Sequence, residues 1–460
     1  MVENTKRIRT AIYLMMAGSF LGSINQTIIS PALPSIMRDL HIDASAGQWL
    51  TTIFLLVNGI MIPCTAYLMA RFKTRELYLT AMTLFGIGTL LAGLSHTFAM
   101  LLIARVLQAM GFGVLMPLLS GTVLMVYPPN KRGKAMGMIG LVFSIAPAIG
   151  PSIAGFIIDA YNWNVVFLGL VPLIVLDIVI CAFVMPNTGE TELIPLDKPS
   201  VIMSTVGFGG MLYGLSSVST YGWTSLHVYV PLIAGAVIVY LFVKRQSNLE
   251  VPLLRFSVFQ SENFTIGLII GMAIYAALLF GGVLTPIYLQ DIHGYSVLVA
   301  ALIMLPAALL AAAINPLVGS LFDKLGGRPI ILLGLFLLAL GSFSYLTFME
   351  DTPTWYLVVM YTIRVLGINV VMMPVNTWSM ADFTGEIITH ANAVFNTLRQ
   401  IAGSVGTAIF VSVYTIVAQS TSVSLSGIHA AFGASAVLML ATFFLAWVKI
   451  PKRQKKSWEK

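Results

Sequence analysis

Ala146-Pro147-Ala148-Ile149-Gly150-Pro151-Ser152-Ile153-Ala154-Gly155 lies in the middle of an apolar run from about residue 135 to 158. Two prolines and two glycines in ten residues end most helices in water, since proline removes a backbone donor and glycine loosens the chain. In a bilayer, neighbouring helices re-satisfy the freed carbonyls, and glycine lets backbones approach closely. The stretch therefore predicts a membrane-spanning helix that is bent and tightly packed. An ordinary small-residue contact between helices is the plainer reading.

The rest of the chain has the composition for that solvent. Its 460 residues are 58% hydrophobic and 9% charged, with mean hydropathy +0.91, which excludes a soluble globular protein. Apolar runs of about 20 residues have the length a bilayer requires. Fourteen can be read, the first near 11–33 and the last near 430–449. The prediction is an all-α membrane protein of fourteen transmembrane helices, the first of them an uncleaved span. With an even number, both termini share a side, and that side collects the lysines and arginines. They include Lys6 and Arg9, Arg71 and Arg75, Arg132 and Lys134, Lys244 and Arg245, Lys324 and Arg328, and the tail; the opposite side shows only Arg38. Both ends are thereby expected in the cytoplasm. The +7 net charge reads as topology and attraction to anionic membrane lipid, with no nucleic-acid partner. Cys64 and Cys181 fall inside apolar runs and offer neither a disulfide framework nor metal spacing. The histidines near the outer edge lack helical pair spacing, so no metal or cofactor is expected.

An internal repeat divides the chain. Ala66-x-Leu68-x-x-Arg71-x-x-x-Arg75 recurs 253 residues later as Gly319-x-Leu321-x-Asp323-x-x-Gly326-x-Arg328. Arg105 recurs as Arg364 at an offset of 259, and Met116-Pro117 as Met373-Pro374 at 257. Six-helix halves would repeat near about 190 residues, so two helices are inserted. The expected organisation is a six-helix bundle at 1–190, two linker helices at 191–260, and a second six-helix bundle at 261–460 with a basic tail.

At this point a family likeness becomes specific. The chain resembles the major facilitator superfamily, in its fourteen-span drug:proton antiporter (EmrB/QacA) type, over essentially its whole length, and within that group lincomycin-efflux proteins of Gram-positive bacteria. Leu21–Pro34, the two loops Leu68–Leu77 and Gly319–Pro329, Arg105-x-x-Gln108-x-x-Gly111-x-Gly113, Gly150-Pro151-x-x-Ala154-Gly155 and Arg399-Gln400-x-x-Gly403-Ser404-x-Gly406 carry the resemblance. It implies a major facilitator fold of two pseudo-twofold bundles in a bacterial plasma membrane, acting as a monomer. The implied activity is export of amphipathic small molecules in exchange for protons. Pro147, Gly150, Pro151 and Gly155 match the antiporter motif, with Ala154 in place of one glycine, and the motif favours export over uptake.

Several residues are candidates for the chemistry. Arg105 lies within its span, where a guanidinium is costly and faces a polar cavity or a partner; a snorkelling or helix-clamping arginine is the alternative. The resemblance places proton coupling and substrate response on it. Gln108 shares its face, and Arg364 is its counterpart. Asn25 stands where the first-span signature commonly has Asp, so no titration can occur there; with Gln26 it is either a pocket contact or a helix-helix hydrogen bond. Asp177 is a mid-span carboxylate, either the proton carrier or a structural pair; Asp39, Asp159 and Asp291 are weaker candidates. Asn369, Asn376, Trp378 and Tyr275 are expected to line a central cavity. Gly319, Asp323, Gly326 and Arg328 form a full cytoplasmic gate motif, whereas the first copy, with Arg71 and Arg75, has Ala70 where the acid belongs. No nucleophile with a base and no Walker loop appears, so neither enzymatic turnover nor direct use of ATP is expected. Export of an endogenous anionic or lipid-like metabolite, or a membrane sensor without turnover, remain alternatives.

Overall fold

The computed structural model describes residues 2–451 apart from 43, 129–130, 188–196, 250, 251, 253 and 422. The side chains of residues 1–9, Pro147 and Asp159 also lie outside the described set. The chain runs through α1 (Val2–Asp39), α2 (Ala44–Arg71), α3 (Thr74–Gly93), α4 (Phe98–Val126), α5 (Arg132–Ala160) and α6 (Trp163–Val184). There follow α7 (Lys198–Ser216), the single turn α8 (Val218–Tyr221), α9 (Leu226–Asn248), α10 (Glu262–Ile287), α11 (Val297–Leu325) and α12 (Gly327–Phe343). The last three are α13 (Thr354–Ser379), α14 (Glu386–Thr421) and α15 (Ser424–Lys449). Strands are absent among the described residues.

Among the described residues, twelve helices are long and apolar enough to cross a membrane. The two long helices outside that set are α2, whose described apolar part is Trp49–Ile62, and the 19-residue α7. Helix starts carry local signals: the side chains of Thr97, Ser261 and Ser296 each accept a bond from a backbone N–H of the first turn, meeting a donor the helix cannot. Gly326, at φ +82°, ends α11 in a conformation that costs a side-chain-bearing residue dearly.

Proline does not end these helices. The repeated Met-Pro pairs sit inside α4 and α13. In both copies a hydroxyl three residues beyond the proline turns back onto the methionine carbonyl: Ser120 to Met116 at 3.0 Å and Thr377 to Met373 at 3.0 Å. The carbonyls that the prolines themselves leave without an amide lie four residues back, on Gly113 and Val370, and the Gly113 carbonyl is reached by Thr65 Oγ1 of α2 at 3.5 Å. In α5 the helix is continuous through Pro147 and Pro151. The bundle is closed by close helix pairs: α1 with α5, α3 with α4 and α6, α12 with α13 and α15, α10 with α14, and α5 with α11. The α7–α9 pair lies against α2 and α14.

That outer pair is fastened at one end. Arg245 donates to both carboxylate oxygens of Asp197, at 2.7 and 2.8 Å, and Ser200 adds a further bond. The Arg245 guanidinium holds the Asp197 carboxyl down to about 2, below its ordinary 3.8. Its folded value is depressed, so its contribution is present above about pH 4 and lost as pH falls towards 2. Asp197→Asn is expected to loosen the α7–α9 pair at neutral pH, read as faster proteolysis of the segment before α7, whereas acidifying wild type to pH 5 is expected to leave cleavage unchanged.

Packing also separates the glycines. A side chain on Gly367 would run into the Leu338 backbone amide and the Gly334 carbonyl, and backbone cannot move aside. A methyl on Gly155 would meet nothing within 4 Å. Gly367→Leu should cost about 3 kcal/mol or prevent folding, seen as a melting shift of several degrees in detergent; Gly155→Ala should leave the melting point unchanged.

Candidate functional site

Arg105 is fully buried in α4. Its Nε donates to the Leu50 carbonyl of α2 at 3.1 Å, and Nη1 donates to Asn25 Oδ1 of α1 at 3.0 Å and to Gln108 Oε1 at 2.9 Å. Gln108 continues to Thr89 of α3 at 3.3 Å, and the Phe54 ring lies 4.3 Å from the guanidinium. One cation therefore joins four helices, with no carboxylate among its contacts. Asn25 supplies an acceptor where an acid would form an ion pair. Nη2 of Arg105 and Nδ2 of Asn25 are buried without partners. Gln26, next along α1, is half-buried.

Arg364 occupies a different setting. It donates to the Ala277 carbonyl of α10 at 2.5 Å and lies between the Phe280 and Phe432 rings, 5.3 and 5.2 Å away. It clamps α13 to α10 and α15 within aromatic packing. Trp378 is fully buried between Gly267 of α10 and Gly327 of α12, and Asn376 is buried beside it in sequence with Oδ1 unpartnered. Arg364 and Trp378 stand inside the packing of α10, α12, α13 and α15.

Asn369 instead bridges helices far apart in sequence. Its Oδ1 accepts from Ser144 of α5 at 2.6 Å, and Asn315 of α11 donates to Ser144 at 2.8 Å. Tyr275 of α10 donates to Gln400 of α14 at 3.1 Å, while the Arg399 guanidinium lies 4.8 Å from its ring. Along α14, Asn392, Asn396 and Arg399 stand at i, i+4 and i+7, one face of a helix. Arg399 donates to Asn396 at 2.8 Å, Asn396 to Asn392 at 3.0 Å, and Asn392 to Ser120 of α4 at 2.9 Å. Arg399 entered the sequence reading only as part of a motif; the spacing of this polar face was the signal that would have singled it out.

At the end where α11 finishes and α5 begins, Asp323 accepts from the backbone N–H groups of Gly133 at 2.9 Å and Lys134 at 2.8 Å. A carboxylate on a helix N-terminus meets free donors and the positive end of the dipole. Gly319 packs directly on Gly133 there, leaving no room for a side chain. The two loop arginines do the same task twice. Arg75 donates to the Ala182 carbonyl in the last turn of α6. Arg328 donates to the Trp447 and Ile450 carbonyls at the end of α15, at 2.8 and 2.7 Å. Each satisfies carbonyls that a helix end leaves without partners. Arg71 ends α2 and is half-buried. In the fifth-helix motif, Gly150 abuts Thr27 of α1, Pro151 is half-buried, and Gly155 faces open space.

Asp177 lies apart from these groups, buried between α6, α3 and α1. Tyr78 Oη is 2.7 Å from its Oδ2 and 3.1 Å from the Leu14 carbonyl; Cys181 Sγ is 3.9 Å away.

The Major Facilitator Superfamily profile matches residues 15–407; the chain belongs to that superfamily and is a multi-pass bacterial membrane transporter. It is 40% identical over 447 residues to the uncharacterized MFS-type transporter YcnB of Bacillus subtilis, covering 96% of this chain and 95% of that one. To the lincomycin resistance protein LmrB of Listeria monocytogenes it is 36% identical over 400 residues, 87% and 84% of the two chains. The crystal structure of the human organic anion transporter MFSD10 superposes with TM-score 0.69 over 95% of this chain and 99% of that one; at 16% identity the likeness is one of fold alone.

Asp323→Asn replaces one acceptor by an amide that cannot accept, so one backbone donor of α5 loses its partner. With Cys64 and Cys181 replaced by serine, a cysteine at Asn315 is expected to react with maleimide several-fold faster in the Asp323→Asn background, a loss of about 1.5–3 kcal/mol of contact.

Proposed function

We propose that the chain is a proton-driven exporter of amphipathic small molecules, working by alternating access between residues 1–190 and 261–460. In this reading α2 and α7 also cross, giving fourteen spans, and residues 191–260 are the inserted pair. The end that carries both termini, Asp323 and the loop arginines is cytoplasmic, because lysine and arginine collect there. The observation that carries the reading is the seam where α5 and α4 meet α11, α13 and α14. Its named contacts are hydrogen bonds of Asp323, Asn369, Asn315 and Asn392. Such contacts can part and re-form with little change inside either bundle, as rocking about a central site requires. The likeness to a lincomycin resistance protein supports a drug-like substrate and the outward direction.

Asp177 is the carboxylate best placed to exchange the proton. A phenol has one hydrogen, yet Tyr78 Oη has both Asp177 Oδ2 and the Leu14 carbonyl within bonding distance. Two full hydrogen bonds form when Asp177 holds a proton and donates to Tyr78, which then donates to Leu14; with Asp177 ionised the phenol has one hydrogen to share between two acceptors. Loss of that proton turns the phenol towards Asp177 and releases α1. The nearest cation on α3, Arg75, is engaged by the Ala182 carbonyl, and Cys181 is the remaining titratable neighbour. Proton occupancy would thus bias how α1 sits on α3 and α6, and through Asn25 the Arg105 hub. A membrane potential supplies about 2.3 kcal/mol per charge per 100 mV to drive the exchange.

The test is transport in liposomes after a pH jump. Wild type is expected to move substrate only against an imposed proton flow. Asp177→Asn should abolish the response to the pH gradient while substrate exchange without a gradient continues, and Arg105→Ala should lower gradient-driven transport by at least about tenfold. Purified protein that moves nothing under any proton gradient, or Asp177→Asn with an intact pH response, would overturn these assignments.

A further inference from the structure

Three arginines stand within the helical bundle, and no ion pair with a carboxylate involves any of them among the described residues. Two are consumed by the fold. Arg105 and Arg364 are sealed from solvent and donate to backbone carbonyls of neighbouring helices. Arg399 differs in each respect. It retains exposed surface and its hydrogen bond goes to a side chain of its own helix, Asn396; its Nε has no partner, as is also true of Nη2 of Arg105 and Nε of Arg364. The guanidinium lies over Tyr275 at 4.8 Å and near Phe395 at 5.9 Å, which steadies its plane and leaves its edge for planar acceptors.

Its position is central. Arg399 stands about 20 Å along α14 from Glu386 at 1.5 Å per residue, near the middle of a bilayer's thickness. Tyr275 and Gln400 join it to α10, Gly59 of α2 faces Gln400, and the Asn396–Asn392–Ser120 chain joins it to α4. An accessible cation at that depth without a counter-charge is unfavourable until an anion arrives. We propose that Arg399 is the anion-recognising group of the central site, and that the transported molecules carry a carboxylate or similar anionic oxygen group on an apolar, ring-bearing body. The anionic group takes the Arg399 guanidinium in place of Asn396, Tyr275 and Gln400 give further polar contact, and the rings receive the apolar part. Binding competes with Asn396 for the guanidinium. It therefore pulls on the chain that ends at Ser120, tying occupancy to the seam between the bundles. The inference rests on the exporter reading for the word "transported"; the binding site stands without it.

Binding of pyrene-butyrate and its isosteric neutral amide to purified wild type, read by scintillation proximity in detergent, tests the proposal. The acid is expected to bind about 30-fold more tightly than the amide, which is about 2 kcal/mol for a charge-assisted bond. Arg399→Gln should bring the two within about threefold by weakening only the acid, and Arg399→Lys should retain part of the preference. Equal affinity of wild type for acid and amide would overturn the proposal even if Arg399→Gln fails to fold, as would an Arg399→Gln protein that keeps the preference. Displacement of the acid by phosphatidylglycerol in nanodiscs would also overturn it, by assigning the group to a lipid phosphate. Wild-type liposomes that export the amide as well as the acid keep the exporter and lose the anion site. Liposomes that export neither, with acid binding still dependent on Arg399, do the reverse.

Discussion

A polar group in the interior of this protein has no water to fall back on, and that constraint organises the rest of the structure. The Arg105 guanidinium shows how it is met. With no acid in reach, it takes the Leu50 carbonyl, Asn25 and Gln108, and lies against Phe54. Its bonds bring α1, α2, α3 and α4 to one point, so the positions of four helices depend on a single side chain. A salt bridge at this depth would be rigid and costly to break. Neutral acceptors hold the charge by ordinary hydrogen bonds instead.

The internal repeat applies the same constraint twice and reaches partly different answers. The Met-Pro pairs of α4 and α13 are followed by the same contact, Ser120 and Thr377 turning back on Met116 and Met373. The loop arginines, Arg75 and Arg328, cap the last carbonyls of α6 and α15. Where the copies differ, the chemistry differs. Arg105 enters a polar network, whereas its counterpart Arg364 is held between Phe280 and Phe432. Asp323 caps α5, and the first copy has Ala70 in its place. Duplication preserved the supports of the fold and released the residues between them.

That asymmetry bears on mechanism. The seam between the first and last six helices is polar but almost free of charge, with Asn315, Asn369, Asn392, Ser120 and Ser144 as its members. Among the hydrogen bonds described across it, those of Asp323 at one end bring in a formal charge, which meets backbone donors of Gly133 and Lys134. Each of these bonds contributes about 1 kcal/mol when water can replace it, so the seam holds by number and yields one contact at a time. Arg399, half-buried beside it, keeps an Nε without a partner.

The sequence by itself determined the class of the molecule. A chain of 58% hydrophobic residues with 9% charge has to form apolar helices, and the repeated loop, arginine and Met-Pro signals could be read because they are local and spaced by the chain. It also marked Arg105, Gln108 and Asn25 by residue type at a depth where that type is unfavourable, and Asp323 by the loop motif it stands in. Tertiary structure alone decided what each of them touches. Trp378 reads as a cavity residue in the sequence and is fully buried against Gly267 and Gly327; Arg364, read as the counterpart of Arg105, lies between Phe280 and Phe432; and Arg399, read only as part of a motif, stands at the seam. Helical periodicity says which residues share a face; which neighbour that face meets depends on packing between helices hundreds of residues apart, and no local signal encodes it.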